Sequence, residues 1–119
     1  MKIITIIPTF NRKQKLLIIL RQLQKQVFKK NISLEVIVVI DGSDDGTLEM
    51  IQTQFPNVHY VLGNGDWWYT KSMNKGFEYA QKLNPDFILT MNDDIEITTD
   101  YINSIYDDFV SIGDKRSIL

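Results

Sequence analysis

Asn92, Asp93 and Asp94 stand side by side directly after the apolar run Phe87 to Met91. Two adjacent carboxylates at the end of a buried strand repel each other and are costly to desolvate, so the pattern calls for a positive partner. A divalent cation is the obvious one, because carboxylate oxygens suit Mg²⁺ or Mn²⁺. Taken alone, the tripeptide also suits a solvated turn. Two further polar loops compete for attention. Asp41-Gly42-Ser43-Asp44-Asp45-Gly46 follows the apolar run Leu34 to Ile40, and Gly63-Asn64-Gly65-Asp66 precedes the pair Trp67 and Trp68.

Several chemistries fail on spacing. Asp41-x-Ser43-x-Asp45-Gly46 begins like an EF-hand loop, but its closing position is Gln52 instead of a bidentate glutamate, and a strand precedes it where a helix is needed. Gly42 and Gly46 lack the following Lys and hydroxyl residue of a phosphate-cradling loop, and Gly63-Asn64-Gly65 lacks the third glycine of a dinucleotide fingerprint. The single histidine, His59, falls inside a short apolar run, where a satisfied core or edge side chain accounts for it. No serine has a nucleophile-elbow context, so hydrolysis by an activated serine is excluded. The absence of cysteine removes disulfides, thiolate zinc and cysteine nucleophiles together.

Loops of this kind matter only if the elements between them bring them together. Lys2 to Ile7 reads as a first strand stopped by Pro8. Asn11 is placed to cap a helix in which Leu16, Ile19, Leu20, Leu23 and Val27 recur at helical spacing, with Arg21, Gln22, Lys25 and Gln26 left outside and Lys29, Lys30 and Asn31 ending it as a solvated connection. Leu34 to Ile40 is so rich in Val and Ile that both of its faces must be covered. A short helix turns Leu48, Ile51 and Phe55 inward, Val58 to Leu62 makes a third strand, and a helix from about Tyr69 buries Met73, Phe77 and Ala80 before Asn84-Pro85. Phe87 to Met91 is the fourth strand. A last helix, capped at Thr98 or Thr99, carries Ile102, Ile105, Phe109 and Ile112. Asp107, Asp108 and Asp114, on or after that helix, read as solvated.

Strands alternating with helices of this length predict a three-layer α/β/α domain with a mainly parallel, Rossmann-like sheet. The loops after Ile7, Ile40, Leu62 and Met91 then emerge on one edge, where open α/β sheets bind ligands. A chain of 119 residues is one domain, and 44% hydrophobic with 24% charged residues is a soluble composition. A net charge of -2 gives no long-range attraction to nucleic acid. The apolar runs are far short of the ~20 residues of a membrane span and the N-terminus lacks a signal-peptide pattern. Together these place the protein in the cytoplasm and leave a peripheral partner at the inner face of the membrane open.

Four segments then carry a resemblance. Ile6-Ile7-Pro8-Thr9-Phe10-Asn11-Arg12, Val38 to Thr47, Met73-Asn74-Lys75-Gly76-Phe77 and Asn92-Asp93-Asp94 resemble, in order and spacing, the signatures of family 2 glycosyltransferases of the GT-A fold, nucleotide-diphospho-sugar transferases, over nearly the whole chain. The paired tryptophans before the Asn-x-Gly helix look like a rhamnosyltransferase-like subset. The resemblance implies that Pro8 and Thr9 wall a nucleotide pocket, with Thr9 offering its backbone and hydroxyl to base and ribose. Asp41 is similar to the family's uracil reader, and an ionised carboxylate can accept the ring N–H. Asn92-Asp93-Asp94 resembles the Asp-x-Asp signature with Asn92 in the first place, which implies Asp93 on the ribose hydroxyls and Asp94 on a Mn²⁺ or Mg²⁺ ion bound to the donor diphosphate.

Trp67 and Trp68 offer aromatic faces to a base or sugar, or alternatively pack on the sheet, and Lys71 near a helix start is placed to meet a phosphate. The family continues into an acceptor-binding half that supplies the general base, so the resemblance implies that residues 1–119 are the donor-binding part, have no assignable catalytic base and turn over little by themselves. The implied activity is sugar transfer, with inversion, from a nucleotide sugar to a saccharide or lipid-linked saccharide acceptor in cell-surface polysaccharide synthesis. A binding module without chemistry is the alternative. A sugar nucleotidyltransferase would need a glycine-rich loop after the first strand, and a receiver domain an acidic pair there; Pro8-Thr9-Phe10-Asn11-Arg12 is neither.

Overall fold

A computed structural model describes residues 1–29 and 31–112. Eight elements alternate along it: β1 (Lys2–Thr9), α1 (Lys13–Gln24), β2 (Ser33–Asp41), α2 (Thr47–Gln54), β3 (His59–Gly63), α3 (Trp68–Gln81), β4 (Phe87–Thr90) and α4 (Tyr101–Ile112). The strands form one sheet in the order β3-β2-β1-β4, and every pairing is parallel. The chain therefore steps outward from β1 to β3, crosses back, and adds β4 on the other side of β1. That reversal opens a crevice between the carboxyl ends of β1 and β4, the place where open α/β sheets hold ligands.

Two apolar clusters explain why the strands are so rich in Val and Ile. Ile4, Ile6, Ile37, Val39 and Ile88 point to one face, where Met73 and Ala80 of α3 cover them. Ile3, Ile7, Val36, Val38, Ile40, Phe87 and Leu89 point to the other, beneath α1, α2 and α4. The alternation is the two-residue period of a strand with both faces buried. On the helices the period is 3.6: Leu16, Ile19, Leu20 and Leu23 form the buried stripe of α1, each burial contributing about 1.5–3 kcal/mol. Gly76 sets how closely α3 approaches. A Cβ there would lie 2.6 Å from Ile6 Cγ2, so only glycine lets the helix rest on β1.

Several boundaries differ from the sequence expectation, each for a tertiary reason. Pro8 lies inside β1, opposite Val39 of β2. Ile6 directs its carbonyl toward β4, where it accepts from Met91, and Pro8, two residues on, directs its donor-less nitrogen the same way, past the last β1–β4 pair, Ile6 and Thr90. The missing N–H costs no ladder bond. Helix α1 stops at Gln24, and Val27 is exposed, its N–H held by the Thr99 carbonyl at 2.8 Å.

Gln26, expected outside, is buried: its amide nitrogen donates to Thr98 O at 2.6 Å and its oxygen accepts from Ile102 N at 3.0 Å. The start of α4 is thus capped by a side chain from the turn that follows α1, and Thr98 Oγ1 turns to Asp100 instead. Lys29 pairs with Asp107. Lys30 and Asp114 lie outside the described residues. His59 stands on β3 between Tyr79 Oη at 3.1 Å and Glu35 Oε1 at 3.4 Å, in keeping with a satisfied edge histidine.

Candidate functional site

The loops at the carboxyl ends of the four strands are tied to one another in the order of the sheet. From β2, the nearly buried Asp41 carboxylate reaches the loop after β3: Oδ1 accepts from Gly65 N at 2.8 Å, and Oδ2 accepts from Trp67 N and Trp68 N, both at 2.9 Å. Gly42, at φ 78°, closes the same junction, since a Cβ on it would fall 2.5 Å from Gly65 Cα. Between β1 and β2, Asn11 N donates to Ser43 Oγ at 2.9 Å and Asn11 Oδ1 accepts from Asp44 N at 2.8 Å. Asn11, expected to cap α1, sits at φ 49° and stitches two loops together.

The cap role passes to Asp45, which accepts from Lys13 N at 3.0 Å while its other oxygen takes the Thr47 hydroxyl and amide. Burial by itself would push the Asp45 carboxyl up. The bonds from the Thr47 hydroxyl and the Lys13 and Thr47 amides outweigh it and hold the pKa below the ordinary 3.8.

Across the crevice, β1 meets the loop after β4. Thr9 Oγ1 donates to Asp93 Oδ2 at 2.9 Å in a buried contact. Arg12 Nη1 lies 3.2 Å from Asp93 Oδ1 and 3.5 Å from Asp94 Oδ2. The positive partner that the acidic pair requires is therefore present in the chain itself. Arg12 was missed because it reads as the first residue of a helix; only the parallel adjacency of β1 and β4 brings it 81 residues back onto Asp93.

These loops enclose a cleft of about 530 Å³. Pro8, Thr9 and Asp41 form its floor, Asn92, Asp93 and Asp94 one wall with Arg12, and Phe10, Trp68 and Tyr69 its rim. Phe10, Trp68 and Tyr69 are 54%, 79% and 60% exposed, so three large aromatic residues stand uncovered around one cleft. Of the residues expected to bind, the structure brings Pro8, Thr9, Asp41, Asp93 and Asp94 to this cleft. It does not bring Trp67, whose half-buried ring packs against the cluster under α3 with the ammonium groups of Lys71 and Lys75 5.6 and 5.8 Å from its centre. Trp68 takes the cleft position. Asp41 holds the amides of both tryptophans and Trp68 adopts φ 56°, so the two rings leave the backbone in different directions. Lys71 accordingly stands on the packed tryptophan.

The acidic wall suits a cation of a particular kind. Among the described residues no group of three or more His, Cys, Asp or Glu side chains could hold a metal alone. Asp93 is almost enclosed, whereas the Asp94 side chain is 43% exposed toward the cleft. One or two carboxylates are what Mg²⁺ or Mn²⁺ takes from protein when substrate phosphates and water complete its shell. The donor set therefore fits a cation shared with a diphosphate and does not fit a protein-held metal.

The sequence of residues 4–114 matches the family model described as glycosyl transferase family 2. Among curated proteins, none matches this chain. Among solved structures, S. aureus TarS is 24% identical with TM-score 0.78 over 93% of this chain, and TarS 1-349 in complex with UDP is 25% identical with TM-score 0.78 over the same share. A mannosyltransferase from Pyrobaculum calidifontis, in complex with GDP-Man and Mn²⁺, is 21% identical with TM-score 0.64 over 77% of the chain. This chain spans 20%, 32% and 27% of those three. Such likeness establishes a common fold.

Proposed function

Because the chain belongs to glycosyl transferase family 2 and has the α/β GT-A fold of its solved neighbours, we propose that residues 1–119 form the donor-binding part of a glycosyltransferase and hold a nucleotide-diphosphate sugar together with a divalent cation in the cleft between β1 and β4. The carrying observation is the convergence of Thr9, Asp41, Asp93 and Asp94 on that one cleft. Complexes of the neighbours with UDP, UDP-GlcNAc and GDP-Man support a nucleotide sugar as the ligand class.

In this reading Pro8, Thr9 and Asp41 receive the base and ribose, and Phe10, Trp68 and Tyr69 cover a base or sugar face. Asp41 keeps one of its acceptor positions for the base after serving three backbone amides. Asp93, fixed by the Thr9 hydroxyl, presents an acceptor edge to the ribose hydroxyls. Asp94, with Asn92 beside it, would hold the cation. When bound, that ion supplies Lewis-acid neutralisation of the leaving diphosphate.

The transfer forms a bond from an acceptor hydroxyl oxygen to the anomeric carbon and breaks the bond to the diphosphate oxygen, which leaves with the electron pair. The hydroxyl proton passes to a base. We assign no cleft carboxylate to that task, since Asp41 and Asp93 are committed to loop contacts and Asp94 to the cation. Direct displacement with inversion, a saccharide or lipid-linked saccharide acceptor, and cell-surface polysaccharide synthesis on the cytoplasmic side of a membrane complete the proposal. No helix among the described residues is long and apolar enough to cross a membrane.

Calorimetry with UDP, GDP and dTDP, each with and without Mn²⁺, tests it. At least one diphosphate binds, tighter with Mn²⁺, and Asp94→Ala removes the dependence on metal. Failure of all three to bind, or binding indifferent to both Mn²⁺ and Asp94→Ala, overturns the reading.

A further inference from the structure

We propose that Arg12 is an internal counter-ion that keeps the acidic wall closed to metal until a diphosphate arrives, and that it then passes from the carboxylates to the phosphates; the inference rests on the donor-binding reading above. The geometry is specific. Thr9 already occupies Asp93 Oδ2, so the oxygens left for a cation are Asp93 Oδ1 and those of Asp94. The Arg12 guanidinium sits against Asp93 Oδ1 and Asp94 Oδ2, at 3.2 and 3.5 Å. A metal ion that bridges the two carboxylates through Asp93 Oδ1 in the free protein must displace a charge of the same sign from that oxygen, and one held by Asp94 alone sits beside the same guanidinium.

Displacement is physically easy when something else receives the guanidinium. The Arg12 side chain is 50% exposed, on the residue preceding α1, so it can swing by rotation about its own side-chain bonds while the helix stays in place. Arginine's planar fork matches two phosphate oxygens as well as it matches carboxylate, and a diphosphate in the cleft offers more negative charge than Asp94 alone. Diphosphate binding thus removes the plug and contributes ligands to the cation in one event. The consequence is ordered loading, with metal binding weakly to the free protein and strongly to the diphosphate complex. By linkage the same coupling factor acts on the diphosphate.

The test is Mn²⁺ binding, followed by electron paramagnetic resonance of the free ion, with and without UDP, or whichever of the three diphosphates binds. Wild type is compared with Arg12→Ala and with Arg12→Gln, which keeps part of the stem if the alanine variant folds poorly. Without diphosphate, Arg12→Ala binds Mn²⁺ about tenfold more tightly than wild type, the scale set by two ion pairs to one half-exposed guanidinium. The gain in Mn²⁺ affinity on adding the diphosphate is correspondingly smaller in the variants. Unchanged or weaker Mn²⁺ binding by the diphosphate-free variants, or a diphosphate-induced gain as large as in wild type, overturns the role of Arg12. If wild type binds none of the three diphosphates, the donor-binding reading itself is what fails.

Discussion

Replacing Asp41 by alanine should loosen the cleft from beneath. Asp41 is 7% exposed, and its carboxylate accepts three backbone N–H groups, from Gly65, Trp67 and Trp68, at 2.8 to 2.9 Å. A hydrogen bond to a charged group contributes about 1.5–3 kcal/mol net, and the three share one acceptor, so their loss is less than additive. Gly65 and Trp68 are exposed residues whose amides can recover part of the loss from water, and removing a nearly buried charge returns some desolvation energy. The net expectation is a loss of about 2–4 kcal/mol, a large part of the ~5–15 kcal/mol that holds a domain folded. At about 4 °C per kcal/mol for a chain of this size, Tm falls by roughly 8–16 °C.

Asp41→Asn keeps the shape and one acceptor oxygen but turns an amide nitrogen toward the donors, so it should lie between wild type and alanine. Urea unfolding at constant m measures the loss, and hydrogen exchange locates it at the amides of 65, 67 and 68. A loss below about 1 kcal/mol for the alanine variant, or unaltered exchange at those amides, would refute the account of Asp41 as the tie between β2 and the loop after β3.

Two further expectations follow from the same loops. The Asp45 carboxyl is held below its ordinary 3.8 in the folded state, so the unfolded chain binds more protons there and stability rises with pH. The contribution is complete above the unfolded value and disappears as pH falls through the folded one; in Asp45→Asn the decline of the urea midpoint below pH about 4 should therefore be shallower than in wild type. The tryptophans should separate cleanly: Trp67→Ala removes a packed ring and costs about 2–4 kcal/mol, whereas Trp68→Ala costs little stability and weakens nucleotide binding. Quenching of intrinsic fluorescence by the bound diphosphate should persist in Trp67→Phe and vanish in Trp68→Phe, and the reverse assignment would show the rim to be misread.

What the sequence determined by itself is periodicity and order. The unbroken apolar runs Ile3 to Ile7, interrupted only by Thr5, and Val36 to Ile40, and the stripe Leu16, Ile19, Leu20, Leu23, required strands covered on both faces and helices to cover them. Their succession then placed the polar loops on one rim, and the resemblance to the glycosyltransferase signatures singled out Thr9, Asp41, Asp93 and Asp94 on those loops. What only the tertiary structure decided is where polar side chains go once the rim exists. Arg12 against Asp93, Gln26 at the start of α4 and Asp41 beneath both tryptophans join residues that are 81, 76 and 26 or 27 positions apart. A local pattern encodes which face an apolar side chain must hide, because water penalises the alternative everywhere along the chain. The partner of a polar group is set by which strand lies beside which, and β4 pairing with β1 instead of β3 is a property of the whole sheet.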